Sequence, residues 1–433
     1  PAASAAPQIG PAQAGRSPRM FKSEVAPGGQ PTIRDDRDAI RPDDRIALIV
    51  EDDAKFASTL LEVARESGFK GVIALNGGAA LELVKELTPD TITLDLRLPD
   101  MDGWALLDQL KHDPETRHIP VNVISVTERQ QRCFHMGALG VLQKPAAKEV
   151  LQEALARTRE FIEREVKTLL VANSDGTLRA GIADALHQNG VKIAEVESGK
   201  KALDALQRSR FDCVVMGPTL TDMRAIDLLK RFARIQRAND VPIVMYGADD
   251  LSRGEQDNLR KLAEIVVLKK ASTPEAVLEQ TTLFLHQAVN SLPPKSRRLL
   301  TQHAKSAPEL SGKKALIVDD DVRNIFALTS VLEQQGMVVY NAENGKDGIE
   351  VLTNTPDVDA VLMDIMMPEL DGYDTIRIMR KLDAYKNLPI IAITAKAMKG
   401  DREKCIEAGA SDYLSKPVNT EQLLSLLRVW TAQ

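Results

Sequence analysis

The chain has 433 residues, 43% of them hydrophobic, a length that suggests roughly three domains of about 150 residues with apolar material enough for packed cores. Its 56 basic and 62 acidic residues leave a formal charge of −6, which gives no global bias toward nucleic acid or membrane, and no apolar run approaches the roughly 18 residues of a spanning helix, so the chain reads as soluble. Three widely spaced cysteines, Cys133, Cys213 and Cys405, with no CxxC pair, suit reduced cytosolic thiols rather than a disulfide or zinc framework.

Residues 1–44 carry seven prolines and four glycines but only five Ile, Val, Leu or Phe residues. That is too little apolar surface to offset ordering entropy, and the segment is expected to be a disordered linker. An opening on Pro1-Ala-Ala-Ser without Met is the pattern expected of the downstream part of a longer protein.

Residues 45–163 form a first unit whose signals return further along the chain. A shift of 268 places Asp52 on Asp320, Leu60 on Leu328, Gly68 on Gly336 and Asn76-Gly77 on Asn344-Gly345. A shift of 269 places Asp95 on Asp364, Pro99 on Pro368, Gly103 on Gly372, Pro120 on Pro389 and Ser125 on Thr394, and Lys144-Pro145 repeats Lys416-Pro417. This is an internal repeat, and the small changes of shift are loop insertions. Apolar residues at helical spacing over Lys148 to Val166 run directly into a strand at Thr168 to Val171. Two readings stand side by side: a helix continuing as a rigid connector, or an ordinary terminal helix followed by a short loop.

The second unit, residues 164–290, keeps the fold signals. Gly190 matches Gly336, Ser198-Gly199 matches Asn344-Gly345, and Phe211 to Met216 reads as its third strand. Its polar strand ends differ. Gly217 stands where Asp364 stands, Asn173 and Ser174 replace the acid pair, Gly247 replaces Thr394, and Lys270 is read as the remaining lysine. A slip of one residue is open at the acid pair, but none puts a carboxylate at the end of the third strand. Arg224, Lys230, Arg231, Arg234 and Arg237 form a basic run, which suits an anionic ligand or partner, or a solvated helix face. Residues 291–312, rich in Pro, Ser and charge, read as a hinge linker that lets the last unit move.

In the third unit, residues 313–433, an apolar run at Ala315 to Val318 ends in Asp319, Asp320 and Asp321, and Ala360 to Met363 ends in Asp364. Pro389 to Ile393 ends in Thr394, and Tyr413-Leu-Ser ends in Lys416-Pro417. Such runs suit strands covered on both faces, as in a parallel α/β sheet. All strand C-termini of an open parallel sheet lie along one edge, so these polar groups converge although far apart in sequence. Clustered carboxylates are costly without a cation, and a hard ion such as Mg²⁺, which keeps waters and takes phosphate oxygens, answers the repulsion. A hydroxyl and an ammonium beside it suit a phosphoryl group passing to Asp364, where catalysis is mainly positioning and charge neutralisation.

This order of residues resembles the receiver domain of two-component response regulators, over residues 313–433 without a large gap. The resemblance implies a doubly wound (βα)5, flavodoxin-like fold: a five-stranded parallel sheet with helices on both faces, three times over. It implies that Asp364 accepts phosphate from a phosphohistidine, that Asp319 and Asp320 join it in binding Mg²⁺, that Thr394 and Lys416 contact the phosphate, and that Tyr413 is the aromatic that reorients with Thr394. Carried to the first unit, it makes Glu51 and Asp52 the metal acids with Asp95 as phosphoacceptor, Ser125 the hydroxyl and Lys144 the cation, but Val141 stands where Tyr413 stands. The middle unit reads as a degenerate pseudoreceiver, either a spacer and docking platform or a small-molecule site.

The six histidines lie apart, with no HxxxH pair and no His-Glu-x-Arg phosphoacceptor helix, and Gly28-Gly29 and Gly77-Gly78 are isolated doublets. No kinase core is visible. Three receivers after a Pro-rich linker, with Ala-Lys396 to Arg402 following Thr394, look like the C-terminal array of a hybrid sensor histidine kinase. The expected function is a cytoplasmic phosphorelay onto Asp364, and onto Asp95, from a histidine kinase domain of the same full-length chain, with a histidine phosphotransfer protein as further partner. The alternative is an inhibitory or docking platform. A DNA-binding output lacks a basic helix-turn-helix region after the last receiver.

Overall fold

The computed structural model describes residues 34–431 apart from 127–129, 187–189, 235–240, 249–250, 264, 307–308 and 396–400. Expectations for residues 1–33, His187, Arg237 and Lys396 fall outside the described residues.

Three sheets follow one another along the chain. The first holds β1 (Ile46–Val50), β2 (Lys70–Ala74), β3 (Thr91–Asp95), β4 (Val121–Ser125) and β5 (Gly140–Gln143), alternating with α1 (Ala54–Glu66), α2 (Gly77–Leu87), α3 (Gly103–His112), α4 (Gln130–His135) and α5 (Lys148–Glu163). The second holds β6 (Lys167–Ala172), β7 (Val191–Val196), β8 (Cys213–Met216), β9 (Ile243–Tyr246) and β10 (Leu268–Ala271), with α6 (Gly176–Leu186), α7 (Gly199–Arg208), α8 (Ala225–Phe232), α9 (Arg253–Ala263) and α10 (Pro274–Phe284). After α11 (Pro294–Ser306), the third holds β11 (Lys314–Val318), β12 (Val338–Ala342), β13 (Ala360–Asp364), β14 (Ile390–Thr394) and β15 (Asp412–Ser415), with α12 (Val322–Gln334), α13 (Gly345–Asn354), α14 (Gly372–Lys381), α15 (Asp401–Ala408) and α16 (Thr420–Thr431). Each sheet is parallel, with its first strand between the second and third, the doubly wound order 2-1-3-4-5.

The repeated residues mark positions where the backbone demands them. Gly68, Gly190 and Gly336 take φ of +82°, +67° and +74° after the first helix of each unit, a left-handed turn that a side chain resists. Asn76, Ser198 and Asn344 cap the second helices, accepting from Ala79, Lys201 and Asp347 backbone N–H. At Gly372 a Cβ would lie 2.2 Å from the Asp364 carbonyl oxygen, and at Gly103 it would lie 2.6 Å from that of Asp95. The start of α14, or of α3, thus presses on the strand that carries the acid. β1, β3, β4, β13 and β14 are buried throughout, and β1, β13 and β14 accordingly read as apolar runs, whereas β3 and β4 carry Thr91, Thr93 and Asn122 within the buried layer. All three cysteines are buried free thiols.

Two expectations are corrected, and one of two open readings is decided. Residues 35–44 are not loose: Asp36 accepts from Arg65 and from Gly71 N–H, Asp35 accepts from Ile73 N–H, and a short 3₁₀ turn spans Arg37–Ala39. The α5 helix stops at Glu163 and β6 begins at Lys167, so the connection is a short loop rather than a continuous helix. Where a hinge is expected over residues 291–312, α11 packs on α10 with Leu292 and Leu300 buried. Pro294 stands first in that helix, where its missing N–H costs nothing.

The units also pack on one another. Arg117 of the first reaches Glu279 of the second, and His135 Nε2 lies 3.0 Å from the Ala263 carbonyl. Helix α3 of the first lies along α16 of the third.

Candidate functional sites at two sheet edges

In the third unit the strand ends meet as expected. Asp319, Asp320 and Asp364 each offer a carboxylate oxygen, all within 4.8 Å of one another, with Asp319 and Asp364 buried and Asp320 exposed. Lys416 Nζ donates to Asp364 at 2.7 Å and to Asp319 at 2.9 Å. The other Asp364 oxygen accepts from Met366 N–H at 3.0 Å, and Asn324 and Asp321 N–H fix Asp319. Burial pulls the Lys416 ammonium down, and its two carboxylate partners outweigh that and raise it. Thr394 is buried at the end of β14, beside Asp364 in the register and tied to Lys416 through its carbonyl.

The first unit repeats the arrangement. Glu51, Asp52 and Asp95 lie within the same 4.8 Å, and Lys144 Nζ reaches Asp95 at 2.6 Å and Glu51 at 2.7 Å. Burial, with the Asp95 charge adding and Lys144 opposing, pushes Glu51 up to about 7. Ser125 is buried at the end of β4, the register position of Thr394, and Val141 pairs with Val123 as Tyr413 pairs with Ala392.

With every carboxylate ionised, three against one ammonium give each cluster two formal negative charges in excess, and the raised Glu51 is, after burial, the first unit's response to that crowding. Two unit charges 4.8 Å apart repel by roughly 3 kcal/mol at an effective dielectric of about 20, so the donor set fits a hard divalent cation.

In the second unit, strand register puts Asn173, Ser174, Gly217 and Gly247 at the positions of Asp319, Asp320, Asp364 and Thr394. No carboxylate cluster of this kind occurs there among the described residues. The same register corrects Lys270. It pairs with Met245 as Tyr413 pairs with Ala392, so it takes the aromatic's place, and Thr273-Pro274 stands where Lys416-Pro417 stands. Of the basic run, Arg224 is paired with Glu255 at 2.7 Å.

The family model of the response regulator receiver domain matches residues 47–156, 169–280 and 315–428. The chain belongs to that family, as three receiver domains in tandem. It is 30% identical over 224 residues to the signal transduction histidine-protein kinase BarA of Escherichia coli, covering 52% of this chain and 23% of that one. It is 27% identical over 265 residues to the sensor histidine kinase GacS of Pseudomonas protegens, covering 56% and 28%. It thus spans less than a third of either kinase. Over 114 residues it is 40% identical to the protein PilH of Pseudomonas aeruginosa, covering 26% of this chain and 93% of that one. Among solved structures, the receiver domain of a Pseudomonas aeruginosa sensor histidine kinase, with magnesium in its active-site cleft, is 35% identical, covering 28% of this chain and all of that one at a TM-score of 0.28. The described residues contain no helix long and apolar enough to cross a membrane.

Proposed function

We propose that the chain is the receiver array of a hybrid histidine kinase and that it takes phosphoryl groups from phosphohistidine onto Asp364 and Asp95. The observation that carries this reading is the pair of acid clusters, each with a lysine on the acceptor carboxylate. An Asp364 oxygen forms the new P–O bond as the P–N bond breaks and its electron pair returns to the donor imidazole. Met366 N–H and Lys416 hold the Asp364 carboxylate in place, and Lys416, with Thr394 beside it, neutralises charge on the transferred group. Mg²⁺, held by Asp319, Asp320 and Asp364, or by Glu51, Asp52 and Asp95, would supply charge neutralisation for the phosphoryl oxygens.

A phosphohistidine-bearing helical partner approaching Asp364 meets Met366, Val322 and Phe326, which are 56, 58 and 76% exposed. The first receiver has Ala54 and Ser58 at the matching helix positions, so the third is the better place for a phosphotransfer protein to dock. The second domain serves as a pseudoreceiver that packs against the first. The docking-platform alternative is not favoured, since two of the three units keep the acid and lysine set.

Phosphoramidate, whose P–N bond stands in for phosphohistidine, tests the reading. With Mg²⁺ it should label Asp364, and the label should vanish in Asp364→Asn. Label on the third receiver that survives this change would refute the assignment.

A further inference from the structure

The two acid sites differ at one position of the helix that follows their metal acids. Phe56 is the third residue of α1, and Asn324 is the third residue of α12. In the third receiver the Asn324 amide donates to both oxygens of Asp319, at 3.1 and 3.2 Å, and Asp321 N–H adds a bond at 2.9 Å. Lys416 takes one Asp319 oxygen at 2.9 Å and reaches Asp364 at 2.7 Å. In the first receiver a benzene ring stands where the amide stands. It is held against an apolar layer of the first sheet, and the Lys144 ammonium lies 4.7 Å from its centre.

The lysines are bound differently. Glu51, one methylene longer than Asp319, turns both oxygens to Lys144 Nζ, at 2.9 and 2.7 Å, and Asp95 takes it at 2.6 Å, so all three N–H groups of the ammonium are engaged. The backbone adds little, since Asp53 N–H lies 3.4 Å from Glu51 against 2.9 Å for the matching bond to Asp319. A divalent cation entering among Glu51, Asp52 and Asp95 competes with that ammonium for the same oxygens. The aromatic face favours the ammonium where it is, because the ring quadrupole attracts a cation more strongly as water is excluded, and the Lys144 side chain is only 19% exposed. A neutral amide brings no competing charge. It orients Asp319 and leaves the carboxylate charge to the ion, as outer partners of metal ligands do.

We propose that Asn324 and Phe56 are positioning residues that give the two receivers unequal affinity for a divalent cation: Asn324 presents Asp319 to the ion, Phe56 pins Lys144 on Glu51, and the third receiver loads first. This rests on the two acid clusters being the metal sites of the phosphotransfer reading. Its consequence is an order of response, in which Asp364 becomes competent at a cation concentration that leaves Asp95 without its ion.

Mn²⁺, which takes the same oxygen ligands as Mg²⁺, tests this through the electron paramagnetic resonance signal of the free ion, with no turnover required. In the full chain, Asp319→Asn with Asp320→Asn leaves the first site to be read alone, and Glu51→Gln with Asp52→Asn leaves the third. The third site should bind about tenfold more tightly than the first. Phe56→Asn should tighten the first site by about fivefold, while Phe56→Tyr, which keeps the ring, should leave it unchanged. Asn324→Phe should weaken the third site by about tenfold. A gain of affinity in Phe56→Asn is not what a loss of packing produces, and Asn324→Phe, in a separate domain, reads the same inference if Phe56→Asn unfolds the first. Equal affinities at the two sites, an Asn324→Phe chain that binds as its parent does, or a first site that Phe56→Asn and Phe56→Tyr shift alike would overturn the proposal while leaving the clusters as metal sites. Absence of Mn²⁺ binding at both clusters would overturn the metal reading as well.

Discussion

Asn173 occupies the space that a side chain at Gly217 would need: a Cβ there would lie 2.1 Å from Asn173 Nδ2. A side chain at this position of the second receiver must therefore displace the Asn173 amide. Gly217→Asp alone should overpack the site and destabilise this domain by about 1–3 kcal/mol in urea unfolding, without producing Mg²⁺-dependent labelling. A stable single variant that takes up label would show that the Asn173 amide yields and that this position can hold an acceptor.

Close approach of backbones also sets the cost at Gly372. Its Cβ would meet the Asp364 carbonyl oxygen at 2.2 Å, so Gly372→Ala must push α14 away from β13 and should cost about 2 kcal/mol or more. Gly254, in α9, has nothing within 4 Å of its Cβ position, and Gly254→Ala should be neutral or gain about 0.5–1 kcal/mol. Denaturation midpoints of the two variants give the comparison.

The interface between the first and third receivers should tighten as pH falls from about 9 to about 5. Burial, then the Asp102 charge, pushes Asp412 from its ordinary 3.8 up to about 7. Docking therefore takes up a proton, and the penalty grows as pH rises from about 4 to about 7 and is constant above that. Burial pulls His112 down, but Asp108, on the same helix, and Glu309 outweigh it and raise it to about 9; of the two only Glu309 lies outside the first receiver, and that pairing is lost as pH rises through about 9. His112 holds Glu309 down to about 2, and Asp108 is also lowered, with burial opposed by His112 and Arg428, so neither titrates in this window. Arg132, Arg402 and Arg428 stay charged. Across this window protection from quenching of Trp104 and Trp430, which flank Arg132 at this interface, should be greatest at its lower end, about pH 5, Asp412→Asn should flatten the lower half of the profile, and His112→Gln the upper half. Tightening with rising pH would contradict the assignment.

Much of this is legible because Asp319 and Asp364 each end an apolar run that suits a doubly covered strand, as Asp364 follows Ala360–Met363, while Asp95, after Thr91-Ile-Thr-Leu, is found through the repeat. Register then follows from the parallel sheet. Lys270 lies only three residues before Thr273-Pro274, whose proline matches that of Lys416-Pro417 and carries the alignment that the strand register shows. The helix α11 hid behind Pro293-Pro294, a pair that reads as linker unless the second proline opens a helix. Contacts such as Arg428 with Asp108, 320 residues apart, leave no local trace, because packing between domains is set by surfaces rather than by periodicity.

The count of acyl phosphates per chain bears most directly on the central claim that two of the three sheet edges keep the chemistry. With acetyl phosphate and Mg²⁺ at saturation, the chain should carry two acid-stable, base-labile phosphoryl groups, each of Asp95→Asn and Asp364→Asn one, and the double variant none. Label that persists in the double variant, or that maps between Lys167 and Phe284, would contradict it.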